Sequence, residues 1–269
     1  MPAVLYRAYR GRSVFLGSVG LVLLFGAAQL ALWAGRVSPA TFPLPSAVLG
    51  STADLARNGS FLASVGSTME AWAEAMAIAV VIAVPVGLLL GTLPLLEAAV
   101  RPVIEFVRPV PAVVLVPLVL LIIQDNQRTE VAVVAFASLW PVLINTIYGV
   151  RSVDPLAVET LRSFGFGPLS VARLVSLPSA APFIATGVRV AASLAFVVAV
   201  AVELIGTGMG GIGTFAAQEE SGSGDMAVMI AIAVWTGLIG LAVNGVFAAA
   251  GRRLFRWHFA LTATAGAQS

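Results

Sequence analysis

Side chains that could carry out a chemical reaction are scarce in this sequence. It contains no cysteine and one histidine, and its fifteen basic residues are all arginine. Without cysteine there is neither a thiolate nucleophile nor a disulfide, and His258 has no cluster of carboxylates beside it to complete a metal site. A Walker-type phosphate loop needs a lysine, so the glycine-rich run Gly206–Gly213 resembles such a loop in composition only. We expect no catalytic residue, metal or cofactor in this chain.

The charged residues with the most informative spacing lie between two long apolar stretches. In the segment ETLRSFGFGPLSVARLVSLP, Glu159 is followed six residues later by Gly165, and the segment ends at Leu177-Pro178. Three arginines lie in or beside it, namely Arg151, Arg162 and Arg173. A basic segment of this kind between membrane helices indicates a helix that docks onto a cytoplasmic partner. The alternative is an ordinary amphipathic connector that lies on the membrane surface.

Local signals predict how this segment folds. Asp154-Pro155 is typical of a helix N-cap followed by proline at the first helical position, so we predict a short helix from Leu156 to Phe164. Gly165 ends this helix because glycine readily adopts the left-handed backbone conformation found after helix C-termini. A second helix is predicted from Leu169 to Leu177, and Leu177-Pro178 is expected to turn the chain toward the membrane.

The composition places this segment in a membrane protein. Hydrophobic residues make up 59% of the chain, charged residues only 10%, and the mean hydropathy is +0.99. A soluble domain carries about 25% charged residues, so we predict an all-α, polytopic membrane protein. Six apolar stretches are each about long enough to cross a bilayer as a helix; they are residues 14–34, 71–93, 107–123, 131–150, 184–205 and 226–250. A cleaved signal peptide is the alternative for the first stretch, which is long for that role and lacks a clear cleavage site.

The distribution of arginine predicts the orientation of these spans. If the N-terminus is cytoplasmic, the cytoplasmic side receives twelve arginines and the outer side three. The outer three are Arg36, Arg57 and Arg128; the inner ones are Arg7, Arg10, Arg12, Arg101, Arg108, Arg151, Arg162, Arg173, Arg189, Arg252, Arg253 and Arg256. Because positive residues are retained on the cytoplasmic side, we expect both termini and the loop at 151–183 to be cytoplasmic.

The loop resembles the EAA loop of bacterial ABC-importer permeases, written E-A-A-x3-G-x9-I-x-L-P. Five positions fall in register, namely Glu159, Gly165, Val175, Leu177 and Pro178, while the two alanines are replaced by Thr160 and Leu161. Shorter strings in the same order extend the resemblance over residues 39–257, toward the nitrate/sulfonate/taurine branch of these permeases. They are FPLPS at 42–46, PVIEFVRPVPAVVLVP at 102–117, NT at 145–146, GVR at 149–151 and 187–189, EL at 203–204, the glycines of 208–213 and RW at 256–257.

Three positions depart from the pattern of that family. The family usually has Trp-Phe-Gly where this chain has Ile122-Ile123-Gln124, and it often has a basic residue at Glu70 and another near Glu130. We expect these changes, at the membrane boundary or outside it, to affect the substrate more than the mechanism.

The resemblance implies the type I ABC importer permease fold, with six transmembrane helices and a cytoplasmic coupling helix. It divides the chain into a cytoplasmic N-terminus (1–13), a permease domain (14–250) that includes the docking loop (151–183), and a cytoplasmic tail (251–269). The implied partners are two ATP-binding cassette ATPase subunits, which bind the ATP and magnesium, and a second permease chain. A homodimer of the permease is the simpler choice, and a heterodimer is the alternative. An external solute-binding protein would deliver a small anion such as a sulfonate, taurine or nitrate to the outer loops at 35–66 and 206–225. No nucleic acid is expected to bind.

The implied contacts with the ATPase come from the docking loop. The residues assigned to them are Asp154, Pro155, Leu156, Glu159, Leu161, Arg162, Phe164, Gly165, Leu177 and Pro178.

Three residues are candidates for the translocation path or its gate, namely Glu203, Arg189 and Asn145. A carboxylate near the outer end of a span, such as Glu203, is costly to bury and is commonly tied to a partner or a water-filled path. Its alternative roles are a carboxylate solvated by the adjacent glycine-rich loop or the partner of an arginine. Arg189 could instead extend to lipid headgroups. Glu70 and Glu74 share a helix face and are predicted to be solvated at the outer end of the second span, or to contact a solute-binding protein.

Two other classes of membrane protein fit less well. An intramembrane enzyme needs a nucleophile with a base, or a metal cluster, within the spans, and neither is present in the sequence. A secondary transporter or channel subunit would show an inverted repeat with broken helices, or a charged relay within the membrane, and neither is evident.

Overall fold

The computed structural model describes residues 42–206 and 210–255, together with residues 16–32 apart from 18, 21, 22 and 24. Within these ranges all regular structure is helical, and no strand is found. The helices are α1 (Pro45–Leu55), α2 (Gly59–Thr92), α3 (Pro94–Val107), α4 (Val116–Ile123), α5 (Asn126–Arg151), α6 (Pro155–Ser163), α7 (Pro168–Val171), α8 (Leu177–Ile205), α9 (Ile212–Gly222) and α10 (Met226–Leu254). A 3₁₀ turn at Ala112–Leu115 precedes α4, and a π-helical turn at Ala172–Ser176 joins α7 to α8.

Four helices in the described residues are long and apolar enough to cross a bilayer. They are Gly59–Thr92, Asn126–Arg151, Pro168–Ile205 and Met226–Leu254; the first covers the second predicted span up to residue 92, and the others contain the fourth, fifth and sixth predicted spans. The first predicted span, 14–34, lies partly outside the described residues, and its described positions are helical. The proposed terminal segments, 1–13 and 251–269, fall outside them except for 251–255. The chain is therefore a multi-pass membrane protein, all-helical in its described residues.

The third predicted span, 107–123, is not one straight helix. α3 ends at Val107, and after a break the chain continues through the 3₁₀ turn into the eight-residue α4. α3 and the segment Ala112–Ile123 meet at an angle of 82°, and the two together could form one broken span. Prolines explain the break, because Pro109 and Pro111 lack a backbone N–H and restrict the residues before them. The helix α3 was not predicted.

The chain divides into two compact units. The first comprises the described residues of 1–62 and 216–235, and an aromatic contact holds part of it together. The rings of Phe61 and Trp235 lie 6.2 Å apart, and Trp235 Nε1 donates a 2.9 Å hydrogen bond to the carbonyl oxygen of Thr52. The second unit comprises the described residues of 63–215 and 236–255.

The core of the second unit lies where α5 packs along α8 and α2. One face of α8 presents small residues that are fully buried, namely Ala191, Ala192, Ala195 and Ala199. Glycines allow still closer approach of the helices. A Cβ added at Gly187 would lie 2.7 Å from Asn145 Cβ, and one added at Gly87 would lie 2.6 Å from Thr146 Cβ. Small residues at helix contacts are typical of membrane proteins, in which close packing drives association of the helices.

The expected turn at Leu177-Pro178 is absent, because α7, the π turn and α8 run as one continuous helix, Pro168–Ile205. The Leu177 N–H bonds to the carbonyl oxygen of Ala172, five residues back. This wider turn lies immediately before Pro178, which has no backbone N–H to donate. Because the turn adjusts the hydrogen bonding at this point, the helix continues through the proline instead of ending there.

Two segments treated as outer loops in the sequence contain helices. α1 lies within 35–66 and α9 within 206–225, and α2 begins at Gly59 instead of near Ala71. α1 and α9 are too short, or too weakly apolar, for a hydropathy pattern to separate them from loops.

Candidate functional site

The helix predicted for docking is present, one residue earlier than predicted, as α6. The Asp154 carboxylate accepts a 2.9 Å hydrogen bond from the Leu156 N–H, and Pro155 occupies the first turn. Gly165 follows with φ +81°, and the Phe166 N–H bonds to the Leu161 carbonyl oxygen at 3.1 Å. These are the N-cap and left-handed C-terminal geometries expected from the sequence.

The surface of α6 and the segment after it is apolar and exposed. No residue of α6 is buried. Leu156 is 69% exposed and Phe164 is 78% exposed, and further exposed apolar residues follow, namely Phe166, Leu169, Leu174 and Leu177. Glu159 and Arg162 are also exposed, Leu161 is half-buried, and Pro178 is exposed at the start of α8. Contiguous exposed apolar groups next to charged ones are typical of a protein interaction site.

An ion cluster around the buried Glu97, which we did not predict, supports the helices beside α6. Glu97 on α3 is only 7% exposed. Its two carboxylate oxygens contact Arg101 Nε at 2.9 Å and Arg151 Nη2 at 3.0 Å. Glu97 and Arg101 are spaced i, i+4 on one helix, a pattern visible in the sequence. The contact with Arg151 ties α3 to the last turn of α5, immediately before the segment that carries α6.

Arg189 and Asn145 line different cavities. Arg189 Nε donates a 2.8 Å hydrogen bond to Asn244 Oδ1 on α10, and it lines a cavity of about 200 Å³ with Phe247 and Arg252. Asn145 Nδ2 donates a 2.8 Å bond to the Pro141 carbonyl oxygen, within its own helix. It lines a cavity of about 540 Å³ that is otherwise mainly apolar. The structure therefore does not bring the three path candidates into one site.

Glu203 is buried at the other end of the second unit from α6. It is 1% exposed, and its Oε2 accepts a 2.8 Å hydrogen bond from the Gly213 N–H. Gly211, with φ +116°, lies so close to the Glu203 carboxylate that a Cβ there would overlap it. Of the two alternatives, the backbone of the adjacent glycine-rich loop does bind the Glu203 carboxylate, whereas no arginine forms an ion pair with it among the described residues.

The partner of Glu203 is a second glutamate. Glu130, in the first turns of α5, is 3% exposed, and its carboxyl group lies beside that of Glu203. Sequence spacing could not show this contact, although Glu130 had been noted near a position where related permeases often carry a basic residue. Glu70 and Glu74 are exposed, as predicted, but they lie well inside α2.

No group of three metal-ligating side chains suited to a metal ion occurs among the described residues.

Known proteins resemble this chain over most of its length. The sequence is 34% identical to the bicarbonate transport system permease protein CmpB of Synechocystis sp., over 57% of this chain and 54% of that protein. It is 30% identical to the nitrate import permease protein NrtB of Leptolyngbya laminosa, over 61% and 58%. The matches thus span little more than half the length of these two relatives. A probable ABC transporter permease of Brucella melitensis biotype 1 is 27% identical over 90% of this chain and 98% of its own length.

A solved structure of the methionine ABC transporter MetNI in an inward-facing conformation has the same fold. It superposes with a TM-score of 0.64 at 16% identity, over 71% of this chain and 94% of that one. Residues 83–256, which contain α6 and the Glu130–Glu203 pair, match the family described as binding-protein-dependent transport system inner membrane component. The match covers more than half of the sequence, and the chain belongs to this family of inner-membrane transport components.

Proposed function

We propose that this chain is the permease subunit of an ATP-driven importer and that α6 is the helix through which a separate ATPase drives it. The observation that carries the proposal is the surface of α6. Its ends are fixed by a cap and a glycine turn, none of its residues is buried, and Leu156 and Phe164 present large apolar side chains. Exposed apolar groups rimmed by charged ones mark protein or membrane interaction sites, and we assign this one to the ATPase.

The proposed mechanism is alternating access. ATP binding closes a pair of partner ATPase subunits, and α6, seated in a groove on one of them, transmits this movement to α2, α5 and α8. The Glu97 cluster favours transmission as a rigid body, because it joins α3 to the end of α5 next to α6. The ATPase subunits would hold the ATP and magnesium, and this chain would hold none.

Assembly and orientation complete the proposal. The arginine distribution supports six spans with both termini and α6 in the cytoplasm. Two permease chains, most simply identical ones, would enclose one path, since each chain offers one docking helix. A solute-binding protein outside the cell would deliver the solute. The names of the bicarbonate and nitrate relatives favour a small anion, or a solute that contains an anionic group.

The test measures docking and transport in parallel. Glu159→Lys reverses an exposed charge on α6, and Gly165→Asp places a side chain at φ +81°, where non-glycine residues are strained. Both variants should reach the membrane, lose capture of the cognate ATPase in detergent, and lose ATP-dependent uptake. Glu220→Lys, another exposed helical glutamate, is the control for ATPase capture and should retain it.

ATP hydrolysis provides a second measurement in the same preparation. The isolated permease should hydrolyse no ATP, and activity should appear when the ATPase subunit is added. Normal uptake by Glu159→Lys and Gly165→Asp would refute docking through α6. Uptake that needs no ATPase would indicate a secondary transporter or channel instead.

A further inference from the structure

A small cavity lies between α8 and the C-terminal end of α10, and we call it the α8–α10 cavity. It has a volume of about 200 Å³, and its walls are mostly apolar, formed in part by Phe183, Phe247 and Phe255. Two arginines also line it, Arg189 on α8 and Arg252 on α10. The cavity is smaller than the roughly 300–1,000 Å³ typical of pockets that enclose a whole small molecule. It therefore suits one charged group of a larger amphipathic ligand, whose apolar part stays outside.

No acidic side chain of this protein balances the two arginines. All thirteen aspartates and glutamates of the sequence lie within the described ranges, and the ion pairs found there are the two of the Glu97 cluster. Arg189 uses its Nε for the 2.8 Å hydrogen bond to Asn244 Oδ1, so its two terminal amino groups can donate to another acceptor. Among the described residues, Arg252 has neither an ion pair nor a side-chain hydrogen bond. The cavity thus holds two positive charges that this chain leaves uncompensated.

The length of α10 places these charges near the boundary of the membrane. α10 has 29 residues, which is about 44 Å at 1.5 Å per residue and exceeds the hydrocarbon core of about 30 Å. Arg252 is in the last turn of this helix, at the boundary. Asn244 precedes it by two helical turns, so Arg189, which bonds to Asn244, lies deeper. A guanidinium at that depth is costly unless an anion accompanies it, and the phosphates of lipid headgroups are the nearest anions in a bilayer.

The chemistry of the cavity matches the phosphodiester of an anionic lipid. Phosphate oxygens accept hydrogen bonds from guanidinium N–H groups, and such charge-assisted bonds are about twice as strong as neutral ones. Basic pockets between transmembrane helices are known to bind anionic headgroups. A zwitterionic headgroup would also bring an ammonium group close to the two arginines, which an anionic headgroup does not. Space is available beside Gly251, another lining residue, because nothing lies within 4 Å of a Cβ added there.

We propose that the α8–α10 cavity binds the phosphate of an anionic phospholipid, with Arg189 and Arg252 as its charged donors. The phenylalanines of the wall contact the apolar part of the lipid next to the headgroup. Arg189 then holds a lipid instead of lining the translocation path. The inference goes beyond the proposed importer function and does not depend on it, because it requires only that α8 and α10 cross a membrane.

The test measures how lipids stabilise the purified protein in dodecyl maltoside micelles. Dioleoylphosphatidylglycerol and dioleoylphosphatidylcholine have the same acyl chains and the same phosphate, but only the second carries a quaternary ammonium group. The rise in melting temperature, followed by tryptophan fluorescence, is titrated against the mole fraction of each lipid. The charge-assisted contacts predict half-maximal stabilisation at an about tenfold lower fraction of phosphatidylglycerol than of phosphatidylcholine. Inorganic phosphate in excess, added without lipid, should produce no rise.

Two pairs of variants separate the cavity from its surroundings. Arg252→Gln removes a lining guanidinium, whereas Arg253→Gln removes an exposed guanidinium of the same helical turn that does not line the cavity. Gly251→Leu adds a side chain at a lining position, whereas Gly245→Leu adds one in open space elsewhere on α10. Arg252→Gln and Gly251→Leu should lose most of the preference for phosphatidylglycerol, and their controls should keep it.

Each outcome decides the inference. A preference for phosphatidylglycerol that Arg252→Gln loses and Arg253→Gln keeps supports it, and because Arg252 is exposed, this variant alters charge without disturbing the core. Equal action of the two lipids on the wild-type protein overturns it. Equal losses in Arg252→Gln and Arg253→Gln also overturn it, since they would indicate general attraction to a negative micelle. A rise produced by inorganic phosphate alone would assign the cavity to a free anion instead of a lipid.

Discussion

Replacing Gly187 by alanine should loosen the contact between α5 and α8. A Cβ at this position would lie 2.7 Å from Asn145 Cβ, 2.9 Å from the Pro141 carbonyl oxygen and 3.2 Å from Val142 Cα. None of these atoms is the end of a flexible side chain. The new methyl group can therefore be accommodated only if α8 moves away from α5, which separates the buried alanine face of α8 from its neighbours.

The size of the effect follows from a comparison with Gly237, inside α10, where nothing lies within 4 Å of an added Cβ. Alanine in place of glycine stabilises a helix by about 0.5–1 kcal/mol at either position, so this gain cancels between the two variants. What remains is overpacking at Gly187, about 1–3 kcal/mol. Gly187→Ala should then melt roughly 2–12 °C below Gly237→Ala, at about 2–4 °C per kcal/mol.

Thermal unfolding of the purified protein in detergent, followed by tryptophan fluorescence, would measure this difference. Gly237→Ala should melt at or slightly above the wild-type temperature, which shows that the substitution itself is tolerated in a helix. If Gly187→Ala melts with Gly237→Ala or above it, the close approach of α5 and α8 described for the second unit is refuted.

Two further predictions concern a hydrogen bond and the topology. Trp72 Nε1 donates a 2.9 Å bond to the Ala192 carbonyl oxygen, whereas the buried Trp140 Nε1 has no partner among the described residues. Both rings pack edge-on against a phenylalanine. Trp72→Phe should therefore lower the free energy of unfolding by about 1 kcal/mol more than Trp140→Phe; equal losses in denaturant unfolding would contradict the assigned bond. A cysteine at Ser163 should react with an impermeant maleimide only in inside-out vesicles, and one at Ser223 should react in intact spheroplasts, with no background because the chain has no cysteine. The opposite labelling pattern would place α6 outside the cell and exclude its docking to an ATPase.

Much of the fold could be predicted because its signals are local. Long apolar stretches predicted the four described spans, and α6 was predicted within one residue at each end from Asp154-Pro155 and Gly165. A cap or a glycine turn acts on groups only a few residues away, so its effect can be deduced without knowledge of the fold. The family could be recognised for a related reason, since the EAA-like loop is a continuous string.

Predictions failed where neighbouring residues modified a local signal. Pro178 was expected to end a helix, but the π turn before it provides a bond that does not require the missing N–H. The third span was predicted with a proline-rich start, but the 82° bend at that start, between α3 and the 3₁₀ turn that leads into α4, was not predicted. In both cases the segment was correctly predicted to be apolar, but the path of its backbone was not. Hydropathy indicates the surroundings of a segment and carries no information on the direction in which its backbone runs.

The sequence by itself determined that this chain is a multi-pass, arginine-rich membrane protein of this family, with a capped helix in the loop before the fifth span. Only the tertiary structure decided which charged groups meet. Glu130 with Glu203, and Glu97 with Arg151, are pairs far apart in the chain. Their contact depends on how α5 packs against α8 and α3, and that packing is decided by close fits such as Gly187 against Asn145. Spacing along a helix cannot reveal these fits, because they require the relative positions of two helices.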